Sequence, residues 1–171
     1  MQAEGDVIRF PREAEAPPDF TAFFAEEHRG LFKALYFVTG NRADAQELMQ
    51  EAFLTLWERW ATIDRIDDPT GYLFRVALNG SRMRARAARR ATRRLVAIDP
   101  SYDPFDEVDL REDVRRMLRS LTPRQRAALV LDLYGYGSED AAAIMRIRPS
   151  TVRALASQGR AVLRNAGGPH G

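Results

Sequence analysis

The sequence predicts an all-α protein of two small helical domains joined by a flexible linker, and three observations predict it. Apolar residues recur in the three-and-one steps of amphipathic helices, most cleanly between Asn41 and Trp60. A stretch rich in proline and aspartate, residues 95–109, lacks sustained periodicity and divides two helical halves. The chain of 171 residues is long enough for one domain, or for two of ~70 residues each.

Residues 1–18, rich in Glu, Ala and Pro, carry no periodicity and read as disordered. From Asp19 a helical pattern begins, with Phe20, Phe23, Phe24, Leu31, Leu35, Tyr36 and Val38 on a broad apolar face. His28, among Glu26, Glu27 and Arg29, reads as a solvated or locally paired histidine rather than a metal ligand. Gly40 can end this helix and Asn41 can cap the next, with Asp44 positioned to complete a capping box. The second helix buries Ala45, Leu48, Met49, Ala52, Phe53, Leu56, Trp57 and Trp60. Its other face displays Gln46, Glu47, Gln50, Glu51, Leu54 and Glu58, with no lysine mixed in. That face is either an ordinary solvated surface or an acidic docking surface.

A short loop with Asp67, Asp68 and Pro69 as turn signals leads to a helix with Tyr72, Leu73, Val76 and Ala77 on its inner stripe. Gly80 weakens it by ~1 kcal/mol relative to alanine. Beyond it Arg82, Arg84, Arg86, Arg89, Arg90, Arg93 and Arg94 surround the helix. A merely solvated helix end would interleave acids to relieve repulsion, so phosphate binding is the expected role.

The second half restarts near Leu110. Val114, Met117, Leu118 and Leu121 outline one short helix, and Thr122 with Pro123 starts another. The remainder fits a helix-turn-helix. Ser138 is expected to cap its first helix and Pro149 to start its second, with Ala141, Met145, Ile147, Val152 and Leu155 as the shared core. A plain helical hairpin is the alternative.

Net charge is only +2, but it is laid out in blocks. Residues 71–94 carry 8 arginines and no acid, residues 95–118 carry 3 basic and 7 acidic side chains, and residues 119–164 carry 8 basic and 3 acidic. Two basic blocks around an acidic spacer suggest two contacts with one polyanion. The blocks and spacer can also pack on each other in a closed state. Cysteine is absent, which removes disulfides, and neither a signal-peptide core nor a run of ~20 apolar residues is present. A cytoplasmic location without membrane insertion is expected. With only His28 and His170, no cysteine and no phosphate-cradling glycine loop, neither an enzyme nor a metal or other cofactor is expected.

The run DAQELMQEAFLTLWERW, a short acidic loop, and DPTGYLFRVALN followed by arginines resemble region 2 of a bacterial sigma factor. The matching positions are Asp44, Ala45, Leu48, Gln50, Glu51, Ala52, Phe53, Trp57, Pro69, Tyr72, Leu73, Arg75, Ala77 and Asn79. LTPRQRAALVL, and TVR followed later by GRAVLR, are similar to region 4 of the same group. The resemblance is to the extracytoplasmic-function, or group four, sigma factors of the sigma-70 superfamily. It implies region 2 over 19–94, a linker over 95–109, region 4 over 110–166 and a frayed tail over 167–171.

The resemblance further implies promoter DNA and core RNA polymerase as partners, the latter through the largest subunit's clamp helices and the second-largest subunit's flap. An anti-sigma factor is implied as well. Gln46, Glu47, Gln50, Glu51, Leu54 and Glu58 would dock on the clamp. Ile63, Val76 and Asn79 would line a pocket for a flipped minus-ten base, although Ile63 and Val76 also suit a core. Arg82, Arg86, Arg89 and Arg90 would hold phosphates there. For the minus-thirty-five element the recognition helix would present Arg148, Ser150, Thr151, Arg153, Ala154, Ser157 and Gln158. Arg153 can fork onto guanine and Gln158 onto adenine. Arg124, Arg126, Arg160 and Arg164 are phosphate candidates, with solvated surface as the alternative.

The linker spans at most ~50 Å, which together with two domain radii covers promoter elements roughly 70 Å apart. Arg146 occupies the turn position where such motifs have glycine, and a positive φ there would be strained. Arg148 stands where the family caps its recognition helix. Alanine, leucine and small polar residues replace the family's basic and aromatic positions on that helix, which bears on promoter sequence rather than fold.

Overall fold

The computed structural model describes residues 18–90 and 112–167, with side chains for 19–80 and 112–167. The expected tail, linker and C-terminal fray, His170 included, lie almost wholly outside those residues. Seven α-helices follow in order: α1 Pro18–Thr39, α2 Arg42–Glu58, α3 Pro69–Arg90, α4 Glu112–Arg119, α5 Pro123–Leu133, α6 Ser138–Met145 and α7 Pro149–Ala166. No strand occurs among the described residues, so the fold is all-α.

In the first half α2 lies against both α1 and α3. The cap expected at Asn41 is present, its side chain accepting from the Asp44 amide at 3.0 Å. Leu48, Met49, Ala52, Phe53 and Leu56 are fully buried beneath Phe20, Leu35 and Leu73. Aromatic edges organise the centre: Phe53 meets Phe24 at 4.8 Å, and Phe20 meets Trp60 at 5.0 Å. Where a loop was expected after Trp60, the chain makes a 3-10 segment over Trp60–Arg65 before Asp68 caps α3. Gly80 is a packing contact as well as a weak point: a Cβ there would lie 3.1 Å from the Leu48 side chain.

The second half wraps α5, α6 and α7 around Leu131, Met145 and Val152. Thr122 and Gln125 close a reciprocal capping box at α5. Ser138 does not cap α6. Gly137 takes the cap position and Ser138 is the first helical residue, its hydroxyl accepting from Arg153 at 3.1 Å. The turn after α6 has the geometry anticipated at Arg146, with φ 54° and ψ 47°. The Ile147 amide closes that turn on the Ala142 carbonyl at 3.1 Å. Because a side chain is disfavoured in this left-handed conformation, Arg146→Gly is expected to stabilise the fold by about 0.5–1 kcal/mol. Urea unfolding followed by circular dichroism checks it, an unchanged or lowered midpoint contradicting the strain.

The two halves meet in a seam. α1 lies on α5 and α3 on α6, so the buried residues of both halves form one continuous cluster. Gly135, at φ 84°, ends α5 and returns the Tyr136 amide to the Leu131 carbonyl at 3.0 Å. That turn carries Tyr134 and Tyr136 to the first half, where both rings meet Phe74 edge-on, at 4.9 and 6.2 Å. The Tyr134 hydroxyl donates to the Gly30 carbonyl at 2.7 Å. Arg126 reaches across to the Val38 carbonyl at 2.8 Å, and Arg115 to the Tyr36 hydroxyl at 2.6 Å.

Candidate nucleic-acid and protein interfaces

The outer face of α2 follows from its buried one. With Leu48, Ala52 and Phe53 inward, helical geometry turns Glu47, Glu51, Leu54 and Glu58 to solvent, with Gln46 and Gln50 half-buried beside them. Leu54 is 44% exposed, a large apolar side chain amid carboxylates. The six residues selected from the sequence therefore share one accessible surface.

Val76 and Asn79 lie one turn apart on α3, and Ile63 sits on the preceding 3-10 segment. All three are half-buried, and Ile63 and Val76 pack against the core, as the alternative reading allowed. The Asn79 amide nitrogen donates to the Arg75 carbonyl of its own helix at 2.6 Å. Beyond that bond the side chain keeps a second N–H and its carbonyl oxygen, so it can both donate and accept. Arg59 lies 5.8 Å from the Tyr72 ring centre, joining the 3-10 segment to α3. Helical backbone continues to Arg90, while the side chains of Arg82, Arg86, Arg89 and Arg90 are outside the described set, as are Arg93 and Arg94 altogether.

On α7 the buried Val152, Ala156 and Gly159 leave Ser150, Arg153, Ala154, Ser157 and Gln158 exposed on one face, with Thr151 half-buried at its edge. Arg148 is exposed at the N-cap and makes no side-chain cap bond. These residues therefore share one accessible face, with Arg153 braced on α6 through Ser138.

The four phosphate candidates part company. Arg124 and Arg164 are exposed, whereas Arg160 pairs with Asp132 at 3.1 Å. The Arg126 guanidinium is half-buried, and its nitrogens donate to the carbonyls of Leu121 and Val38. Burial lowers its pKa, but an arginine stays charged at neutral pH. In this arrangement Arg126 is a strut of the seam, and it can reach a phosphate only if the seam opens.

Residues that sequence reasoning missed cluster at that seam: Gly30, Phe74, Tyr134 and Tyr136, together with Asp68, which had been read only as a turn signal. The Asp68 carboxylate caps α3 through the Gly71 amide at 2.9 Å, and the Tyr136 hydroxyl lies close by over Gly71. Burial, then the Asp68 carboxylate, raises the Tyr136 pKa, and burial raises that of Tyr134, so both remain hydroxyl donors at neutral pH. Desolvation likewise raises the nearby Glu27 carboxyl, opposed by its hydrogen bond to Thr70. His28 is locally bonded, its Nδ1 lying 2.9 Å from the Phe24 carbonyl, and no metal-holding cluster occurs among the described residues. Nor is any helix of the described residues long and apolar enough to cross a membrane.

The first half thus carries an accessible acidic helical surface and the second a helix-turn-helix. Sigma-70 region 2 matches residues 23–91 and Sigma-70 region 4 matches residues 111–163. The ECF RNA polymerase sigma factor SigM of Mycobacterium tuberculosis is 30% identical over 147 residues, which are 84% of this chain and 74% of that protein. SigE of Mycolicibacterium smegmatis is 28% identical over 88% of this chain, which spans 62% of that relative's length. The sigma factor RpoE of Bartonella quintana, solved in complex with the anti-sigma factor NepR, shares the fold. Its TM-score is 0.66 at 23% identity, with 88% of this chain and 97% of that one covered. The chain belongs to the extracytoplasmic-function RNA polymerase sigma factors, and its role is in transcription initiation.

Proposed function

We propose that this chain binds core RNA polymerase, recognises minus-ten and minus-thirty-five promoter elements, and promotes opening of the duplex. The observation that carries the reading is the presence, in family order, of an accessible acidic face on α2 and an accessible polar face on the recognition helix α7. The α2 face, with Leu54 at its centre, suits basic partner helices of the polymerase clamp, where charge complementarity speeds and orients docking. Ile63, Val76 and Asn79 suit a flipped base: apolar walls enclose it and the Asn79 carbonyl oxygen meets a donor on its edge. The arginines from Arg82 to Arg90 suit the adjoining phosphates, each contact steepening the logarithmic salt dependence by ~0.7 on single strand. The chain's own chemistry is recognition, and the place of action proposed is the cytoplasm.

Promoter specificity is proposed to rest on Arg148, Ser150, Thr151, Arg153, Ala154, Ser157 and Gln158, with Arg124 and Arg164 on the backbone. Arg153→Ala is expected to weaken binding of the cognate upstream duplex by ~1–3 kcal/mol and that of random duplex far less. Fluorescence anisotropy on both duplexes checks it; equal losses would reduce Arg153 to a phosphate contact. An anti-sigma factor is proposed as a regulator, by analogy with the Bartonella relative's complex. The reading as a whole is tested by titrating labelled protein with purified core polymerase. Saturable association supports it, and no association at micromolar concentrations overturns it.

A further inference from the structure

We infer that the turn Tyr134–Gly135–Tyr136 is a latch that docks region 4 onto region 2 and holds the free protein closed. The latch rests on the sigma reading only for its purpose; its geometry stands on the contacts between the two halves. Gly135 in the left-handed conformation sets the two tyrosines side by side, and both close on Phe74 of α3. The Tyr134 hydroxyl then donates to the Gly30 carbonyl in α1, while the Tyr136 hydroxyl comes to lie over Gly71 beside the capping carboxylate of Asp68. Gly30 makes room for this, since a Cβ there would stand 3.0 Å from the Tyr134 oxygen. Arg126 on the Val38 carbonyl and Arg115 on Tyr36 secure the other side.

The seam is mixed: Phe74 is buried in the cluster that runs through both halves, whereas the contacts around it are polar. Tyr134 remains 43% exposed, and its hydroxyl bonds a backbone carbonyl that water can satisfy on opening. A contact of that kind suits a reversible closure better than a permanent domain core. It also leaves the α2 face and the α7 recognition face exposed. What it removes is reach. A compact body of this chain length has a radius of gyration of about 15 Å and a diameter of about 40 Å. Promoter elements two helical turns apart are roughly 70 Å from each other. The latched protein can touch one element but cannot bridge both, so release is a step before promoter engagement.

The absence of cysteine makes the test clean. Spin labels placed through Ala22→Cys and Asn165→Cys, at exposed positions of α1 and α7, report the separation of the two halves in the full chain. The native latch is expected to give one narrow population shorter than about 40 Å. Tyr134→Ala combined with Tyr136→Ala should broaden it and move most molecules to longer distances. Gly30→Gln should do the same without removing any core side chain, and it decides the matter if the double variant loses helical signal. A broad, long distribution in the unmodified protein, or an unchanged one in Gly30→Gln, overturns the latch. In run-off transcription, Gly30→Gln should reach half-maximal output at a concentration at least about threefold lower, because the binding-competent fraction rises. Opened distances with an unchanged half-maximal concentration would overturn the autoinhibitory role. Transcripts absent with both proteins would instead defeat the sigma reading, leaving the distances to judge the latch.

Discussion

Replacing Glu51 by arginine is expected to weaken binding to core RNA polymerase by about 2–3 kcal/mol, roughly thirty- to hundredfold in Kd. Glu51 is exposed on the outer face of α2, while its neighbours Ala52 and Phe53 are fully buried on the inner one. The substitution therefore reverses a charge at the centre of the proposed docking surface without entering the core. Helical content should stay unchanged, and Glu51→Gln, which only neutralises, should lose less. Raising the salt concentration should narrow the difference between the variants, because salt screens the attraction between solvent-exposed charges. Equilibrium titration of labelled protein with polymerase measures all of this, and equal affinities would remove the α2 face from the interface.

Phe53→Ala is expected to destabilise the first half by about 3–5 kcal/mol, a large share of the 5–15 kcal/mol that holds a small domain together. Phe53 is completely buried, with its ring against Phe24 at 4.8 Å and Phe20 and Phe23 at 6.4 Å. Truncation leaves a cavity walled by three aromatic rings whose positions are fixed by α1, so collapse around the void is limited. The variant should unfold at markedly lower urea concentration than the unmodified protein. A loss below about 1 kcal/mol would mean that the core is not packed as described.

The helices were legible in the sequence because their periodicity and punctuation agree. Asn41, Thr122 with Pro123, and Pro149 mark helix starts that the structure keeps within a residue. The strain at Arg146 was also legible, since a non-glycine side chain stood where the turn needs a positive φ. Ser138 misled because capping preference is a local signal. One residue earlier, Gly137 takes the cap position, while the Ser138 hydroxyl bonds Arg153 fifteen residues away. The 3-10 segment was hidden behind turn residues that follow it.

The seam was the least legible part. Phe74 falls off the inner stripe read for α3 because it faces a second partner, the turn that precedes α6, that no local pattern announces. The charge blocks left open a closed state in which basic blocks pack on the acidic spacer. The contact between the halves instead uses tyrosines, backbone carbonyls and two half-buried arginines, Arg115 and Arg126, and residues 95–111 of the spacer lie outside the described residues. Charge counts reveal long-range fields, whereas a Tyr-Gly-Tyr turn acts only through contact geometry. Of the site residues, the exposed faces of α2 and α7 could be read by subtracting the buried stripe. The pocket residues Ile63 and Val76 could not, because a half-buried apolar side chain serves core and ligand alike.

Run-off transcription with purified core polymerase, on promoter fragments from the organism's own genome, tests the central claim most directly. Selective transcripts that appear only when this protein is added are the predicted result, with upstream sequences sharing two elements about two helical turns apart. Transcription unchanged by the protein, together with no measurable binding to the polymerase, would contradict the account and leave the helix-turn-helix to act alone.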